Sequence, residues 1–377
     1  MTYPLLPYSQ LVFDMLKTNP DVYRTHFALR LNPREVDIEH LKNAIEIAIR
    51  NHPVFFMQVD EQGRQSYVAQ QNTLHGRFYS VDFSSDKGCI RMDVTLNRIL
   101  GDAKSVLLLI EDVCRAYRNL PLVQDNYLAY LAQLQKTQQS TRYIADHQWL
   151  EAEFGDITCP VHPKTDIPLE TKDRPLEGTM LLDYTDLRES LYILAHDQLL
   201  PLTAVFSLAC ALAIMEYNGT DEAALTWAYE GRERPEEQRI FGSLHRDIPF
   251  KINNKLQITS NQLDLLRHAR KQYREGIAHS SYPLTLTKPH TDIWNYALNV
   301  LEQPMTENLE EQIPFPFELI PQTDTPCLAY ALLDVEIMDG AQLLINFRYS
   351  ATHYKTESIH RFAVLVRKYT EWLTNHQ

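Results

Sequence analysis

Hydrophobic and polar positions in the N-terminal third of the chain switch between strand-like and helix-like spacing. Residues 25–31 alternate apolar and polar side chains, which is typical of a half-buried strand. Apolar residues recur every three or four positions over 38–49, which predicts a helix capped by Asp37 and ended before Pro53. Residues 54–59 are predicted to form a second strand.

The alternation of strand-like and helix-like spacing continues further along the chain. Residues 89–96 read as a strand and residues 104–117 as a helix, followed by one long helical stretch over 127–150. Six apolar residues of the middle helix are expected to face inward: Val106, Leu107, Leu109, Ile110, Val113 and Cys114.

The C-terminal part contains a second series of strands and helices. Strands are predicted over 179–184, near 225–229 and over 341–349, with a final amphipathic helix over 357–372. The most apolar stretch, 199–215, is short for a membrane span and lacks flanking positive charge. We expect a helix buried on all sides, with Thr203 as its N-cap and Gly219 at its end.

A change of domain is predicted between Asp156 and Pro175, where four prolines lie among polar residues without periodicity. The alternation of strands and helices on both sides predicts an α/β protein of the α+β sandwich type. Two domains are therefore expected, residues 1–165 and residues 166–377.

Composition narrows the functional classes. The chain has 36 Lys and Arg against 49 Asp and Glu, a formal net charge of -13, and no basic face of the kind that nucleic acids need. Its five cysteines are scattered without a CxxC pair, so neither a disulfide framework nor a metal site is expected. No basic-then-apolar leader opens the chain, so we expect a cytoplasmic protein without a membrane segment.

Residues 96–105, Leu-Asn-Arg-Ile-Leu-Gly-Asp-Ala-Lys-Ser, connect the strand 89–96 to the helix 104–117. This stretch resembles the His-His-x-x-x-Asp-Gly motif of the condensation domains of non-ribosomal peptide synthetases. Asn97 and Arg98 stand where that motif has its histidines, Asp102 where it has its aspartate, and Ala103 where it has its glycine. Further patches resemble the same family in the same order: residues 3–10, 50–55, 125–130, 146–149, 231–235 and 241–246.

The resemblance implies a pseudo-dimer of two halves that are each similar to chloramphenicol acetyltransferase, arranged as a V around a central tunnel. Carrier proteins bearing phosphopantetheine-tethered chains would approach this tunnel from opposite faces. By position, Arg98 replaces the catalytic histidine, and Asp102 is the structural aspartate. Arg232 is the candidate partner for Asp102, and their ion pair would hold the two halves together.

Arg98 is open to three interpretations. It is a neutral replacement at a dead site, a plug that fills the tunnel, or a cation that stabilises an oxyanion. An arginine stays protonated far above neutral pH, so it cannot act as the general base, and the third interpretation needs another base nearby. Arginine is also found at this position in the family's recruiting domains that dock haem monooxygenases.

His245 is the histidine that could substitute as the base, because it lies in the patch that the family places near the tunnel floor. His279 and His290 occupy polar stretches and are interpreted as surface or hydrogen-bonded residues, and His52 is expected to be structural. No catalytic residue is assigned with these substitutions, and no bound cofactor or metal ion is expected.

Two functional hypotheses follow. The first is a condensation-like protein that lacks the usual histidine-dependent activity and binds a peptidyl or acyl carrier protein, its tethered chain, or a tailoring enzyme. The second is an amide- or ester-forming acyltransferase that positions carrier-tethered thioesters or uses a non-standard base. Whether the chain is an enzyme stays open at this point.

Overall fold

The structure, a computed structural model, describes residues 2–17, 24–68, 73–155, 157–169, 177–253, 262–284, 297–302, 313–320 and 332–375. In chain order the strands are β1 (Thr2–Pro4), β2 (Arg24–Leu31), β3 (Met57–Val59), β4 (Arg64–Tyr67), β5 (His75–Gly76), β6 (Tyr79–Asp86), β7 (Cys89–Asn97), β8 (Glu177–Asp183), β9 (Glu222–Tyr229), β10 (Arg246–Asn253), β11 (Asn299–Glu302), β12 (Glu318–Ile320), β13 (Leu333–Asp339) and β14 (Leu343–Ser350). The α-helices are α1 (Pro7–Leu16), α2 (Ile38–Asn51), α3 (Ala103–Tyr117), α4 (Tyr127–Thr137), α5 (Thr141–Phe154), α6 (Arg188–Gln198), α7 (Leu202–Asn218), α8 (Gln262–Ala278) and α9 (Thr356–Thr374).

The chain forms two compact units that are not continuous in sequence. The first unit comprises Met1–Gln139, Glu230–His245 and Thr306–Leu328, and the second comprises Ser140–Tyr229, Arg246–Met305 and Ala329–Gln377. We call Glu230–His245 the inserted segment, because it belongs to the first unit although it follows much of the second. The predicted domains 1–165 and 166–377 stay a prediction.

The first unit contains two antiparallel sheets. The larger one has the strand order β12-β2-β7-β6-β5, and the smaller one the order β1-β4-β3. In the larger sheet β2 runs against β7, with Arg24 opposite Asn97 and Leu31 opposite Ile90. Helix α2 packs against α3, whose first residue, Ala103, comes soon after the end of β7. The turn between β7 and α3 is therefore fixed at both ends.

The second unit is built on one six-stranded sheet with the order β10-β9-β11-β13-β14-β8. Strand β11 runs parallel to both β9 and β13, and the other pairs are antiparallel. Helix α7 is the centre of its core, since every side chain from Leu202 to Met215 is buried. This confirms the prediction of a fully buried helix.

Several sequence predictions are confirmed at the level of elements. Helix α2 begins after Asp37, whose side chain accepts a hydrogen bond from the His40 amide at 3.0 Å. The strands predicted over 25–31, 89–96, 179–184, 225–229 and 341–349 are β2, β7, β8, β9 and β14. The final predicted helix is α9.

Other predictions are wrong in detail. Residues 53–56 form a 3-10 helix, so only Met57–Val59 of the predicted strand 54–59 is extended. The predicted helical stretch 127–150 is two helices, because the Ser140 side chain accepts from the Tyr143 amide and caps a new helix. Thr203 is not an N-cap, since α7 begins at Leu202 and the Thr203 hydroxyl donates to Glu302 at 2.8 Å.

The membrane question has a limited answer. Among the described residues, no single helix is both long and apolar enough to span a bilayer. Residues Thr185–Gln198 and Leu202–Asn218 reach that length and composition only as a pair, and that pair is bent by 103°.

Candidate functional site

The turn between β7 and α3 is shaped by Asn97. Its side chain is buried, and its Oδ1 accepts a hydrogen bond from the Ile99 amide at 3.0 Å. Its carbonyl oxygen accepts from the Leu100 amide at 3.0 Å. A short side chain that hydrogen-bonds the backbone two residues ahead is what an Asx turn requires. Asn97 therefore holds the backbone of the turn.

Arg98 follows in the same turn and is partly buried. Its carbonyl oxygen accepts a hydrogen bond from the Ser243 hydroxyl at 2.9 Å, so the turn is tied to the inserted segment. Its guanidinium carries a permanent positive charge and offers only donors. It can stabilise an anion, and it cannot take a proton from an amine or hydroxyl.

Asp102 caps α3 and collects five hydrogen bonds on its carboxylate. Oδ1 accepts from the Ser105 amide at 3.0 Å and the Ser105 hydroxyl at 2.8 Å, and both oxygens accept from Arg232 at 2.9 Å. Oδ2 also accepts from the Leu244 amide at 3.0 Å. Burial raises the pKa of Asp102, but the Arg232 guanidinium outweighs it and keeps that pKa below its usual value. Asp102 is therefore a carboxylate at neutral pH.

Arg232 contacts Asp102 through both of its terminal nitrogens, in the two-pronged geometry that a guanidinium favours. Its side chain has 0% exposure, and its Nη2 also donates to the carbonyls of Ile240 and Gly242 at 3.1 Å. The preceding Gly231 has a φ of +72°, in the left-handed region that favours glycine. Asp102 and Arg232, the pair expected from the family resemblance, are thus in direct contact. Both belong to the first compact unit, so the pair lies within one unit and is not the link between two halves that was expected.

The other end of the turn is also tightly packed. A Cβ at Gly101 would lie 2.6 Å from Ser105 Cβ and 2.7 Å from Phe241 Cε1. Ser105 Oγ accepts a hydrogen bond from the Gly242 amide at 3.0 Å. The inserted segment therefore covers the turn closely. Ala103, in contrast, is exposed, so its methyl group is not part of this packing.

His245 ends the inserted segment and lies edge-on against Tyr8, with ring centroids 3.9 Å apart. Its Nδ1 is buried and has no hydrogen-bond partner in the described part of the chain. Burial lowers the pKa of His245 to about 4, with the charges of Arg98 and Arg232 acting in the same direction and Asp102 against them. The imidazole is therefore neutral at pH 7 and is a weak base.

A buried polar network that the sequence analysis missed surrounds His52. The imidazole lies between Asp112 of α3 and Asp125, and both carboxylates have 0% side-chain exposure. The inserted segment joins this network, because Arg239 pairs with Asp112 and the Phe241 amide donates to Asp125 at 3.0 Å. The expectation that His52 is structural gave no indication of these partners.

The inward face of α3 differs from its prediction because buried polar contacts, and not only apolar packing, decide which side chains face inward. Of the six apolar residues expected inside, only Cys114 is fully buried, whereas the polar residues Ser105 and Asp112 are buried in the helix. Each polar group is satisfied by hydrogen bonds, which removes the cost of burying it. The sequence signal that could have indicated the network is Asp112, a carboxylate on the side of α3 that packs inward.

The remaining histidine candidates lie elsewhere. His279 belongs to the second unit. Its Nδ1 lies 2.9 Å from Asp146 Oδ1, which accepts the hydrogen bond, and its ring stacks on Trp149 with centroids 4.5 Å apart. This agrees with a hydrogen-bonded structural residue. His290 lies outside the described residues. Within the described ranges, no group of three His, Cys, Asp or Glu side chains could hold a metal ion.

Comparison with known proteins identifies the family. The model of the condensation domain matches residues 98–377. The nonribosomal peptide synthetase opaA of Aspergillus ustus is 25% identical over 279 residues, covering 71% of this chain and 7% of that protein. The nonribosomal peptide synthetase ungA' of Aspergillus campestris is 21% identical over 399 residues, covering 94% of this chain and 4% of that protein. The chain thus spans only a small fraction of the length of these relatives.

Solved structures share its fold. The epimerization domain from the third module of tyrocidine synthetase B has a TM-score of 0.76 at 17% identity, over 100% of this chain and 97% of that one. The condensation domain of the Monacolin K polyketide synthase MokA has a TM-score of 0.75 at 11% identity, over 100% and 98%. The cyclization-docking bidomain of EpoB from Sorangium cellulosum has a TM-score of 0.77 at 12% identity, over 100% and 85%. With its mixed α/β architecture and the match over residues 98–377, the chain belongs to the condensation-domain family.

Proposed function

We propose that this chain serves a non-ribosomal peptide pathway, or a related assembly line, by binding rather than by histidine-dependent condensation. Its ligand is a peptidyl or acyl carrier protein together with the chain tethered to the phosphopantetheine arm, which it presents to a tailoring enzyme. One observation carries the proposal. The Asp102–Arg232 network of the motif is complete, while a permanent cation, Arg98, stands at the position of the catalytic histidine.

The chemistry of the site supports a binding role. A general base must accept a proton near neutral pH, and the two motif positions hold an amide, Asn97, and a guanidinium, Arg98. Asn97 is already used by the backbone of the turn. Arg98 can pair with an anionic group of a ligand, which adds affinity without turnover.

The relatives support the setting. Two Aspergillus proteins named nonribosomal peptide synthetases align with most of this chain, and a protein with a similar fold is the cyclization-docking bidomain of EpoB. Carrier-linked chains are the substrates that the family resemblance implies. We infer a cytoplasmic location from the same setting, and the tunnel between the two halves stays a prediction.

A binding titration tests the proposal. Carrier proteins encoded beside this chain would be titrated into it in their apo, phosphopantetheinylated and loaded forms, with calorimetry or anisotropy as the readout. We expect a loaded carrier to bind, and Arg98→Ala to weaken that binding by about tenfold, as the loss of one charge-assisted contact does. Lys42→Ala, which removes a partly buried lysine of α2 paired with Glu39, is the matched control. If no loaded carrier binds, the proposal is wrong.

A second candidate function is supported by His245. Its buried Nδ1 has no partner among the described residues and its imidazole is neutral at pH 7, so a lone pair is available for an incoming proton. The chain would then be an amide- or ester-forming acyltransferase, in which positioning of the two substrates offsets the weak base. The permanent positive charge of Arg98 would stabilise the oxyanion that forms when the amine or hydroxyl attacks the thioester.

Product formation separates the two functions. Purified protein is incubated with loaded carriers, and the products are followed by mass spectrometry. The acyltransferase hypothesis expects product that is lost in His245→Phe, which keeps the ring against Tyr8 but removes the nitrogens. Unchanged product in this variant would exclude His245 as the base, and absence of product in the native chain would leave the binding function alone.

A reverse substitution tests the scaffold. In Asn97→His with Arg98→His the two motif histidines are restored. We expect measurable condensation if the surrounding network supports the family's chemistry, because Asp102 and Arg232 are already in place. The single variant Arg98→His is the control, since it retains the Asx turn made by Asn97.

A further inference from the structure

His52 lies between two buried carboxylates. Its Nδ1 is 2.8 Å from Asp125 Oδ2, and its Nε2 is 3.3 Å from Asp112 Oδ2, outside ideal hydrogen-bond geometry. The side-chain exposure is 1% for His52 and 0% for each aspartate. These groups are therefore shielded from bulk solvent, which would otherwise compensate their charges.

The two contacts determine the protonation of the ring. An ionised carboxylate only accepts hydrogen bonds, and a neutral imidazole has one N–H, so one of its nitrogens would face a carboxylate with a lone pair. An imidazolium has an N–H on both sides, so it donates to Asp125 through Nδ1 and places its second N–H and its positive charge 3.3 Å from Asp112 Oδ2. The placement of His52 between two carboxylates therefore favours the charged form.

The surrounding charges agree with this assignment. On Asp112, Oδ2 also accepts from the Asn51 amide at 2.8 Å, and Oδ1 pairs with Arg239. Arg239 in turn contacts Glu111, which is half exposed, at 2.6 Å. The two buried carboxylates are thus balanced by two cations, His52 and Arg239, and a neutral His52 would leave one buried negative charge uncompensated. The other neighbours of the ring are aromatic: Phe55 and Phe241, with centroids at 6.3 and 5.0 Å.

The same network holds the inserted segment. Asp125 Oδ2 accepts hydrogen bonds from both His52 Nδ1 and the Phe241 amide. The Nδ1 proton of His52 therefore holds in place the same carboxylate oxygen that binds the inserted segment. The Phe241 ring packs on Gly101 of the turn. A change at His52 is therefore transmitted to the turn that carries Arg98.

We propose that His52 is a buried imidazolium that positions the inserted segment, residues 230–245, against the turn 97–102, and that loss of its proton loosens this segment. Burial lowers the pKa of His52, but the contacts with Asp112 and Asp125 outweigh it and raise that pKa above its usual value. The segment is then locked at neutral pH and loosens at alkaline pH. This inference concerns the free protein and does not depend on its ligand.

Nuclear magnetic resonance of histidine side chains tests the protonation state directly. Protein labelled at the imidazole nitrogens is titrated from about pH 6 to pH 10, and His52→Gln identifies the His52 signals. We expect both nitrogens to be protonated at pH 7.5, above the ordinary histidine pKa of about 6.5. His40→Gln, a change in α2, the helix that ends just before His52, is the control, because the His40 ring hydrogen-bonds a backbone carbonyl and no carboxylate. A neutral tautomer of His52 at pH 7.5 would overturn the proposal.

Hydrogen exchange tests the coupling to the inserted segment. At pH 7.5, His52→Gln is expected to lower the protection of the Phe241 amide by about tenfold, the size of one lost charge-assisted contact. The His40→Gln control should leave it unchanged. The Asp102-bound amide of Leu244 should lose less protection than Phe241, because its acceptor is held by Arg232. Equal protection of Phe241 in His52→Gln and the native chain would show that His52 does not position the segment.

Discussion

At the scale of single residues, Asp102 combines the capping of a helix with the anchoring of a distant segment. Its five hydrogen bonds cap α3 and anchor the inserted segment at Arg232 and Leu244. None of them involves Arg98 or Asn97. The Asp102–Arg232 pair therefore does not depend on the side chains at positions 97 and 98.

Breaking this pair from one side should be costly. Arg232→Met leaves the Asp102 carboxylate buried and uncompensated, so we expect a loss of about 3–5 kcal/mol in the free energy of unfolding, measured by urea denaturation. The double variant Asp102→Leu with Arg232→Met should lose less than the sum of the two single changes. Lys42→Met, which removes an exposed ion pair with Glu39, should cost less than about 1 kcal/mol. A loss that small for Arg232→Met would contradict the role assigned to the pair.

His245 should make the protein sensitive to acid. The pKa of His245 in the folded chain is about 4, below the value of about 6.5 in the unfolded chain. The unfolded state therefore binds more protons between these values, and the contribution of His245 to stability is lost as the pH falls from about 6.5 to about 4. We expect His245→Phe to reduce this loss, measured as the difference in urea midpoint from the native chain at each pH. His196→Phe, an exposed change, should follow the native curve.

His52 acts with the opposite sign. The pKa of His52 is raised in the folded chain, so its stabilising contribution is complete below about pH 6.5, the ordinary histidine pKa. This contribution is lost as the pH rises through the pKa of His52 in the folded chain. The stability difference between the native chain and His52→Gln should therefore shrink between pH 6.5 and pH 9.5, as measured by urea denaturation. A difference that stays constant across this range would mean that His52 is already neutral in the folded state at about pH 6.5.

At the scale of elements, hydrophobic periodicity predicted the strands and helices whose packed faces are apolar. Helices α2 and α7 and strands β2 and β7 are examples, because local spacing and burial agree in them. The predictions failed where a polar group decided the local structure. Ser140 starts a new helix through its side-chain cap, and Asp112 is buried because it meets His52 and Arg239.

Helix ends offer a paired test of backbone strain. Gly219 ends α7 with a φ of +66°, and a Cβ there would meet nothing within 4 Å, so Gly219→Ala should cost about 1 kcal/mol from conformation alone. Leu199 ends α6 with a φ of +53° and is 74% exposed. Leu199→Gly should therefore stabilise the protein or leave it unchanged, because relief of strain offsets the added freedom of the unfolded chain. The free energies of unfolding of the two variants check both signs.

At the scale of the whole molecule, each compact unit is assembled from separated stretches of chain. The first unit takes residues 230–245 and 306–328 from beyond the second unit's first stretch. Asp102, Asp112 and Asp125 all have partners in the inserted segment. A proline-rich stretch such as 156–175 can predict where periodicity stops. It carries no information about which later segments of the chain pack back into the first unit.

This organisation predicts the behaviour of a fragment. Residues 1–165 alone lack Arg232 and Arg239, so Asp102 and Asp112 would each lose a cationic partner. We expect this fragment to show no cooperative urea transition and no near-ultraviolet circular dichroism of a packed core. Joining residues 228–247 to it through a flexible Gly/Ser linker should restore part of the packing. Cooperative unfolding of 1–165 alone would show that the inserted segment is dispensable.

The amino-acid order was enough to predict the mixed α/β class, the condensation-domain family and the contact of Asp102 with Arg232. These predictions depend on local hydrophobic periodicity and on short motifs that occur in the same order as in the family. The partners of His52, the low pKa of His245 and the return of residues 230–245 to the first unit depended on folding. They arise from contacts between residues far apart in the chain, where burial and neighbouring charge set the protonation of each group, and no local pattern encodes that environment.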